Sequence, residues 1–511
     1  MKSMKKTIWI LALLIPAFTG CNDWLDVSSK TEIPSDEHFS SETGFKDAVI
    51  GVYVKMSKPE LYGKALTWHV NEFVSQNYAR VSAALDLLYD RAPFISYGNS
   101  IWKNCYETIA NINNVLNYEE KNRSVIAPVV DSLVRGEMLG LRALLHFDLL
   151  RMFGKGNLGN RRELLNTFTI PYSLDFNKYA PAQVTYEQFL YYLKKDIEEA
   201  IEYLYVDPIT RREPLSYYQP YVDQAFLATD EYNRGIIDRN FRMNYYAAQA
   251  LYARILMWEG TPEAKGKALT VAEDLIENAY YSWAYENSVM VKNNEWWKSD
   301  LLFKNEHLFT MAVEKLEEYQ THTQGTRNWF DASSPGNTYQ VVYLNQSKAE
   351  EIYESPGIGD SDWRFIYCLL PQGQSRSYYG LVKLRQHPEH TADYSRMIPM
   401  IRITEMYYIA AECRMEAGPD YDKSKALDYL NTVRRHRGIA QAEELPASLT
   451  DAEVKEEIYK EYRKEFVGEG QIFFYYKRKG METIPGYNGE MTDLQYQYPM
   501  PDDEIALGGR I

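Results

Sequence analysis

The segment LVRGEMLGLRALLHFDLLRM, residues 133–152, spaces its apolar side chains three or four positions apart. The apolar residues that share one face are Met138, Leu141, Leu145, Leu149 and Met152. Charged residues such as Arg135 fall on other faces, so the pattern predicts an amphipathic α-helix. Glycines at positions 154 and 156 predict the end of this helix.

A second helix is predicted to begin after Thr185. The Thr185 hydroxyl can cap the first backbone N–H groups while Gln188 reaches back, which is a capping-box arrangement. This helix is expected to run to about Tyr205 and to pair with the first. Thr450 and Glu453 form an equivalent box, which predicts another helix near the C-terminus.

Two further segments predict helix pairs that resemble each other. One begins near Phe241 and the other near Arg402. Each turns at a glycine, Gly260 or Gly418, and soon enters the tripeptide Lys-Ala-Leu. We interpret this as a degenerate internal repeat of the tetratricopeptide type, in which stacked helix pairs bury a continuous core.

The helical periodicity fades in two stretches of the chain. Between residues 281 and 401, Gly, Pro, Ser, Asn and Trp become common, and a smaller irregular stretch spans roughly residues 75–100. Binding residues often lie on loops that a rigid scaffold holds. We therefore expect the ligand-binding surface in these two stretches.

Aromatic and polar side chains occur together in both irregular stretches. Sugars offer apolar ring faces that stack on aromatic rings, and hydroxyls that need polar partners. The candidate ligand-binding residues are Tyr97, Asn99, Trp296, Trp297, Arg327, Asn328 and Trp329. Ordinary packing is the alternative for each ring, and Trp329 is favoured because Arg327 and Asn328 flank it.

The N-terminus has the pattern of a secretory signal peptide over residues 1–20. Lysines precede an apolar stretch over residues 8–15, and small residues lead to Cys21. The apolar stretch is shorter than the roughly 20 residues that a spanning helix needs. Thr19-Gly20-Cys21 is similar to a bacterial lipobox, so we expect lipid attachment at Cys21. An unmodified cysteine near a cleavage site is the alternative.

Charge and cysteine content exclude some classes of protein. The formal charge of −15 becomes −18 once the three lysines of the signal peptide are removed, which disfavours nucleic acid as a partner. Cys105, Cys368 and Cys413 form neither a disulfide framework nor a zinc motif. One bridge between Cys105 and Cys368 would suit an oxidising compartment, but buried free thiols are favoured.

No catalytic or cofactor motif is recognisable in the sequence. HExxH, GxSxG, a Walker loop and a dinucleotide fingerprint are all missing. His387 and His390 flank Glu389, but Pro388 puts them on a turn without a third ligand, which favours a solvated loop over a metal site. A glycosidase whose two catalytic carboxylates are distant in sequence is an alternative that the sequence leaves open. We expect no enzyme activity, no cofactor and no metal.

Four charged residues near the C-terminus could suggest chemistry. They are Arg463, Glu465, Glu469 and Arg478. A structural ion-pair network that holds the C-terminal helix is the favoured interpretation.

Several separated segments resemble the SusD-like (RagB/SusD) family of outer-membrane nutrient-binding lipoproteins of Bacteroidetes. The similar segments are Cys21–Asp26, Leu141–Ala143 with Phe147–Leu149, Arg402–Glu405 with Ala410–Glu412, Leu430–Arg434, Arg463 with Glu465–Phe466, Glu469–Gly470, and Pro499–Pro501 with Glu504. Their order and spread cover nearly the whole mature chain. Tyr475 stands where the family often has Asp, and this departure places the protein in a divergent branch.

The resemblance implies a mainly α fold in which tetratricopeptide-like helix pairs form a right-handed scaffold beside a loop-rich ligand-binding region. It implies an N-terminal SusD-like region over residues 21–220 and a C-terminal RagB/SusD region over residues 221–511, with the insertion at about 281–401. Such a protein would be lipid-anchored at the surface of the outer membrane. It would bind an oligosaccharide or a peptide and pass it to a SusC-like TonB-dependent transporter. The alternatives are a structural or assembly lipoprotein that holds a protein partner, and a tethered glycan hydrolase.

Overall fold

The computed structural model describes most of the chain. The described residues are 35–79, 91–177, 179–211, 239–321, 328–330, 342–372, 377–390 and 395–510, without the side chains at 91–94, 211 and 507. The predicted signal peptide, Cys21, Arg327 and the predicted boundary near residue 220 lie outside the described residues. Among the helices that are described, none is both long and apolar enough to cross a membrane.

The described chain is mostly helical. Its α-helices are α1 (Ser35–His38), α2 (Glu42–Met56), α3 (Val70–Val74), α4 (Arg91–Asn122), α5 (Pro128–Phe153), α6 (Tyr186–Leu204), α7 (Tyr245–Glu259), α8 (Pro262–Asn278), α9 (Glu286–Val289), α10 (Leu316–Gln320), α11 (Gln346–Tyr353), α12 (Trp363–Ile366), α13 (Ile403–Arg414), α14 (Lys423–Arg435), α15 (Asp451–Phe466), α16 (Ile472–Lys479), α17 (Asp493–Tyr496) and α18 (Asp502–Gly508).

The long helices pack side by side in chain order. α4 packs on α5, α5 on α6, α6 on α7 and α7 on α8. α8 then packs on α13, and the stack continues through α14 to α15. The apolar faces of these helices meet in one continuous hydrophobic cluster. The predicted helix pairs and the mainly α fold class are therefore confirmed.

Capping residues and glycines set the ends of these helices. The Thr185 hydroxyl accepts a hydrogen bond from Gln188 N at 3.2 Å, and the Gln188 side chain accepts one from Thr185 N at 3.1 Å. Gly260 ends α7 with φ of 69°, and a Cβ at this position would lie 3.1 Å from Gly159 Cα. Glycine suits both the left-handed backbone and this close approach.

One prediction about local structure is wrong. The sequence predicts an irregular stretch up to residue 100, whereas α4 already begins at Arg91. Gly98 is a residue type typical of loops, but here it lies in a helix and its lack of a side chain leaves room for a neighbouring ring. A Cβ on Gly98 would lie 3.3 Å from Tyr498 Cδ1. Tyr97 and Asn99 therefore lie on a helix rather than on a loop.

Short strands and short helices build the region between α8 and α13, where the sequence predicts a loss of helical periodicity, and one further strand pair lies between α5 and α6. The strands are β1 (Phe168–Pro171), β2 (Gln183–Thr185), β3 (His307–Ala312), β4 (Tyr343–Asn345), β5 (Leu369–Gln372), β6 (Tyr378–Leu381) and β7 (Met397–Arg402). They pair antiparallel as β1 with β2, β3 with β7, and β4 and β5 on either side of β6. β3 and β7 pack on α7, which attaches this region to the helix stack.

The three cysteines within the described residues are buried free thiols. Cys105 and Cys413 belong to the main hydrophobic cluster. Cys368 lies in a smaller second cluster built by the strand-rich region. The favoured interpretation of the cysteines is confirmed.

The Glu465 carboxylate lies at the centre of a buried group of charges. Its Oε1 accepts hydrogen bonds from Arg402 and from Arg437 Nη2 at 2.7 Å, and its Oε2 accepts one from Arg364 Nη1 at 3.0 Å. Burial alone would raise the pKa of Glu465, but the three guanidinium groups hold that pKa well below its usual value. We call this group the Glu465 network. Its other members are Glu306, Asp362, Lys383, Arg434, Glu461, Lys464 and Glu469.

Arg463 and Arg478 belong to separate ion pairs. Arg463 pairs with Glu351 at 2.6 Å, and Arg478 pairs with Glu412 at 2.7 Å. Tyr475, at the divergent position, is buried beside Arg478, whose guanidinium lies 5.2 Å from the centre of the tyrosine ring. The predicted structural role of the four charged residues is confirmed, although they do not form one network.

Replacing Glu465 by Ala should lower the free energy of unfolding by about 3–5 kcal/mol, because three buried guanidinium groups lose their shared carboxylate. Glu314→Ala is the matched control, since Glu314 forms an exposed pair with Arg396 whose loss should cost less than about 1 kcal/mol. Chemical denaturation of both variants measures the difference. Similar losses in the two variants would contradict the central role of Glu465.

His146 in α5 is buried with a partner at each ring nitrogen. Its Nδ1 lies 2.9 Å from the Arg142 carbonyl oxygen, and its Nε2 accepts a hydrogen bond from Ser173 N at 2.9 Å. Burial and, to a smaller extent, the charge of Arg142 lower the pKa of His146 to about 3. The folded protein therefore keeps this ring neutral near neutral pH.

The free energy of unfolding should fall as the pH drops below about 6.5, the ordinary histidine pKa. Between this value and a folded pKa of about 3, the unfolded chain binds a proton at His146 and the folded chain does not. His146→Gln should flatten the dependence by up to about 1.4 kcal/mol per pH unit. Denaturation curves at several pH values test this, and parallel curves for the two proteins would refute it.

Candidate ligand-binding site

A small pocket lies where the chain before α3 faces the N-terminal part of α4. Its volume is about 190 Å³. Its lining residues are Pro59, Glu60, Lys64, Ala65, His69, Tyr97, Ser100 and Ile101. We call it the Lys64 pocket. Of the residues that line it, the sequence predicts only Tyr97 as a ligand contact.

Lys64 enters the pocket over aromatic rings. Its Nζ lies 4.2 Å from the centre of the Trp329 ring and 5.6 Å from that of Trp68. Burial lowers the pKa of Lys64 to about 8, so the ammonium form still predominates near neutral pH. No carboxylate within the described residues pairs with this ammonium.

His69 connects the two candidate rings, Tyr97 and Trp329. Its ring centre lies 5.4 Å from that of Tyr97 and 5.0 Å from that of Trp329, with edge-on geometry in both cases. Burial, and then the charge of Lys64, lowers the pKa of His69 well below its usual value. The neutral ring offers one N–H donor and one acceptor, and neither nitrogen has a hydrogen-bond partner in the described part of the chain.

Trp329 is buried behind Lys64 and does not itself line the pocket. Its side chain is 5% exposed, and its backbone is held by hydrogen bonds to Gln320 O at 2.7 Å and from Val342 N at 2.6 Å. Lys64 covers the ring. Trp329 therefore contacts the pocket residues Lys64 and His69, and its indole ring does not face the cavity.

The two predicted asparagines do not line the pocket. Asn99 is exposed on α4. Asn328 stabilises its own turn, because its Oδ1 accepts a hydrogen bond from Phe330 N at 2.9 Å and its backbone pairs with Thr321 in an isolated β-bridge. Asn328 thus positions Trp329 within the chain.

A shallow groove between α2 and α4 adjoins the pocket. Its volume is about 620 Å³, and it shares Glu60 and Ser100 with the Lys64 pocket. Its other lining residues are Gly51, Val54, Lys55, Lys58, Lys103, Asn104 and Glu107. The spacing of Ser100, Lys103 and Glu107 along α4 could have revealed this polar face.

Trp296 and Trp297 lie in a different aromatic group. Trp297 is half-buried and stacks on His387, with ring centres 4.1 Å apart and planes at 9°. Trp296 is 5% exposed and meets both His387 and His390 edge-on. Burial, and then the charge of His387, lowers the pKa of His390 to about 4. The two predicted tryptophans therefore contact each other and two histidines, not the Lys64 pocket lining.

Packing accounts for Trp296. It belongs to the second hydrophobic cluster together with Phe303, Cys368 and Val382, and the guanidinium of Arg385 lies 5.2 Å from the centre of its ring. No group of three His, Cys, Asp or Glu side chains among the described residues could hold a metal ion. Trp297 keeps the more accessible ring of the pair.

Two family models match the sequence. The model described as "SusD family" matches residues 370–507, and the model described as "Starch-binding associating with outer membrane" matches residues 23–213. A search of curated proteins finds no match.

Solved structures share the fold over nearly the whole chain. A SusD superfamily protein from Bacteroides vulgatus is 22% identical, with a TM-score of 0.66 and coverage of 92% of this chain and 98% of that one. A SusD superfamily protein from Bacteroides thetaiotaomicron is 20% identical, with a TM-score of 0.65 and coverage of 91% and 98%. Surface glycan-binding protein A from Bacteroides thetaiotaomicron, in complex with laminarihexaose, is 16% identical, with a TM-score of 0.61 and coverage of 92% and 98%. At these identities the likeness shows the fold.

Trp296→Ala should lower the free energy of unfolding by about 3–5 kcal/mol, because a cavity would open in the second hydrophobic cluster. Trp297→Ala should cost less, since Trp297 is only half-buried and lies at the edge of that cluster, where it stacks on His387. Chemical denaturation of the two variants compares them directly. Equal losses, or a larger loss for Trp297→Ala, would contradict the structural role of Trp296.

Proposed function

We propose, because the chain belongs to the SusD-like family, that it is a non-enzymatic cell-surface protein that binds a glycan at the Lys64 pocket. The observation that carries this proposal is the meeting of a partly accessible aromatic ring, Tyr97, with the polar groups of Lys64 and His69 in one cavity. Few protein surfaces combine a stacking ring with several hydrogen-bonding groups in this way.

The chemistry of the pocket matches that of a sugar. The apolar face of a pyranose ring can stack on Tyr97, and its hydroxyls can bond to the Lys64 ammonium, the His69 ring nitrogens and the Ser100 hydroxyl. The name of the family model over residues 23–213 and the laminarihexaose complex of a structural neighbour support the same ligand class. The adjoining groove gives room for further sugar units.

The anchor and the transporter complete the proposal. Lipid attachment at Cys21 would hold the mature chain at the outer membrane, and more than one acyl chain gives stable anchoring. The name of the family model over residues 23–213 supports association with that membrane. The bound oligosaccharide would then pass to a SusC-like TonB-dependent transporter. Trp297 and Asn99 remain candidates for contact with a longer glycan.

Tyr97→Ala should weaken glycan binding at least about threefold, because the ligand loses a stacking surface. Tyr191→Ala is the matched control, since Tyr191 is an exposed tyrosine on α6 outside the pocket. A glycan and peptide array with the chain beginning after Cys21 identifies the ligand, and calorimetry compares the variants on it.

Three outcomes would contradict the proposal in different ways. Binding of peptides but no glycan would move the protein to a peptide-binding function. Release of products from a polysaccharide would favour a hydrolase. Equal weakening by Tyr97→Ala and Tyr191→Ala would place the glycan elsewhere on the surface.

A further inference from the structure

We propose that the glycan bound in the Lys64 pocket carries a negative charge, as a uronate carboxylate or a sulfate ester, and that Lys64 binds this anionic group. The inference rests on the proposed glycan-binding function and names its substrate class. It follows from a comparison with the hydrogen-bond partners of the other buried lysines and histidines.

Lys64 differs from the buried lysines among the described residues. Lys383 pairs with Glu469, Lys464 with Glu461 at 3.1 Å, and Lys477 donates to the Arg151 and Tyr496 carbonyl oxygens at 2.7 Å each. Lys64 is partly buried, yet within the described residues it meets aromatic rings and no oxygen acceptor. Partial burial reduces the hydration of this ammonium without giving it a protein acceptor, and an anionic ligand would supply such a partner.

His69 differs from the other buried histidines in the same way. His146 has partners at both ring nitrogens, and so does His307, through Thr310 Oγ1 at 2.9 Å and the Leu302 carbonyl oxygen at 2.8 Å. Both nitrogens of His69 lack a partner among the described residues, although the side chain is 1% exposed and lines the pocket. Its N–H can donate to the same anionic group as Lys64, or to a hydroxyl beside it.

The surroundings of the pocket are positive in a strongly acidic protein. Four lysines, at positions 55, 58, 64 and 103, line the pocket and groove, against the two carboxylates of Glu60 and Glu107. Glu107 already pairs with Lys55 at 2.8 Å and lies 3.9 Å from Lys103. With a formal charge of −15 on the whole chain, a local cationic surface selects anionic ligands and attracts them.

The size of the pocket indicates recognition of one group of a longer ligand. A volume of 190 Å³ equals that of about six water molecules, which is less than most pockets that enclose a whole small molecule. The adjoining groove is shallow, and Val54 is the only large apolar residue among those that line it. A glycan suits this surface better than a peptide, which would need apolar pockets for its side chains.

Calorimetry with matched glycans tests the inference. The probes are tetrasaccharides of galacturonate and of mannuronate, each beside its carboxyl-reduced counterpart, and a sulfated galactan oligosaccharide beside its desulfated form. We expect at least one acidic glycan to bind more tightly than its neutral match, with an affinity that falls as salt increases. The carboxylate and sulfate arms distinguish the two sources of charge.

Lys64→Met should weaken binding of the preferred acidic glycan about tenfold to a hundredfold, which is the usual worth of a hydrogen bond to a charged group. Binding of its neutral match should change less than about threefold. Lys64→Arg should keep the preference. Lys195→Met is the control, because Lys195 is an exposed lysine outside the pocket and groove. The melting temperature of Lys64→Met should not fall, since the variant removes an ammonium without a carboxylate partner.

The outcomes separate this inference from the proposed function. Tight binding of neutral glycans without preference for any acidic match would overturn the inference and leave the proposed function intact. An acidic preference that survives in Lys64→Met would also overturn it. Lys64-dependent binding of peptide carboxylates without glycan binding would overturn both, as would the absence of binding to every glycan.

Discussion

The carboxylate of Glu465 joins parts of the chain that are far apart in sequence. Arg402 stands at the end of β7, Arg437 follows α14, and Arg364 lies in α12, yet all three guanidinium groups meet on this side chain of α15. Arg437 also pairs with Glu306 and lies 4.0 Å from the centre of the Phe303 ring in the second hydrophobic cluster. These ion pairs thus fix the strand-rich region to the helix stack. Separating the two would leave buried charges unpaired in a low-dielectric interior.

The same network extends towards the Lys64 pocket through the turn after α15. Glu469 pairs with Arg402 in the network, and the next residue, Gly470, donates its backbone N–H to Glu72 at 3.0 Å. The approach is so close that a Cβ on Gly470 would lie 2.6 Å from the Thr67 carbonyl oxygen. Glu72 lies in α3, which begins directly after His69. The position of the pocket therefore depends on the ion pairs behind it, while the hydrophobic cluster supplies most of the stability.

The sequence is informative where a local pattern carries the structure. Periodicity predicts the helix pairs, and the capping box at Thr185 predicts a helix start to the residue, because both depend on neighbours within a few positions. Gly98 misleads, since its role is a close contact with Tyr498 that no local pattern records. Trp296 is a residue type that often binds sugars, but its surroundings are those of a core residue. Lys64 and His69 belong to no recognisable motif. Their contact with Trp329 joins segments that are distant in sequence, so only the structure reveals this contact.

The number of protein partners of a buried polar group differs between the scaffold and the Lys64 pocket. The protein gives Glu465 three partners and His146 two, at distances typical of strong hydrogen bonds. Folded proteins leave few buried polar atoms unpaired, because each costs free energy that packing must offset. Within the described residues, Lys64 contributes no ion pair and His69 no side-chain hydrogen bond to the scaffold, and both line the pocket. Their lack of protein partners is explained if the partner is a ligand, and the hydrogen bonds that they form with it then contribute to the affinity.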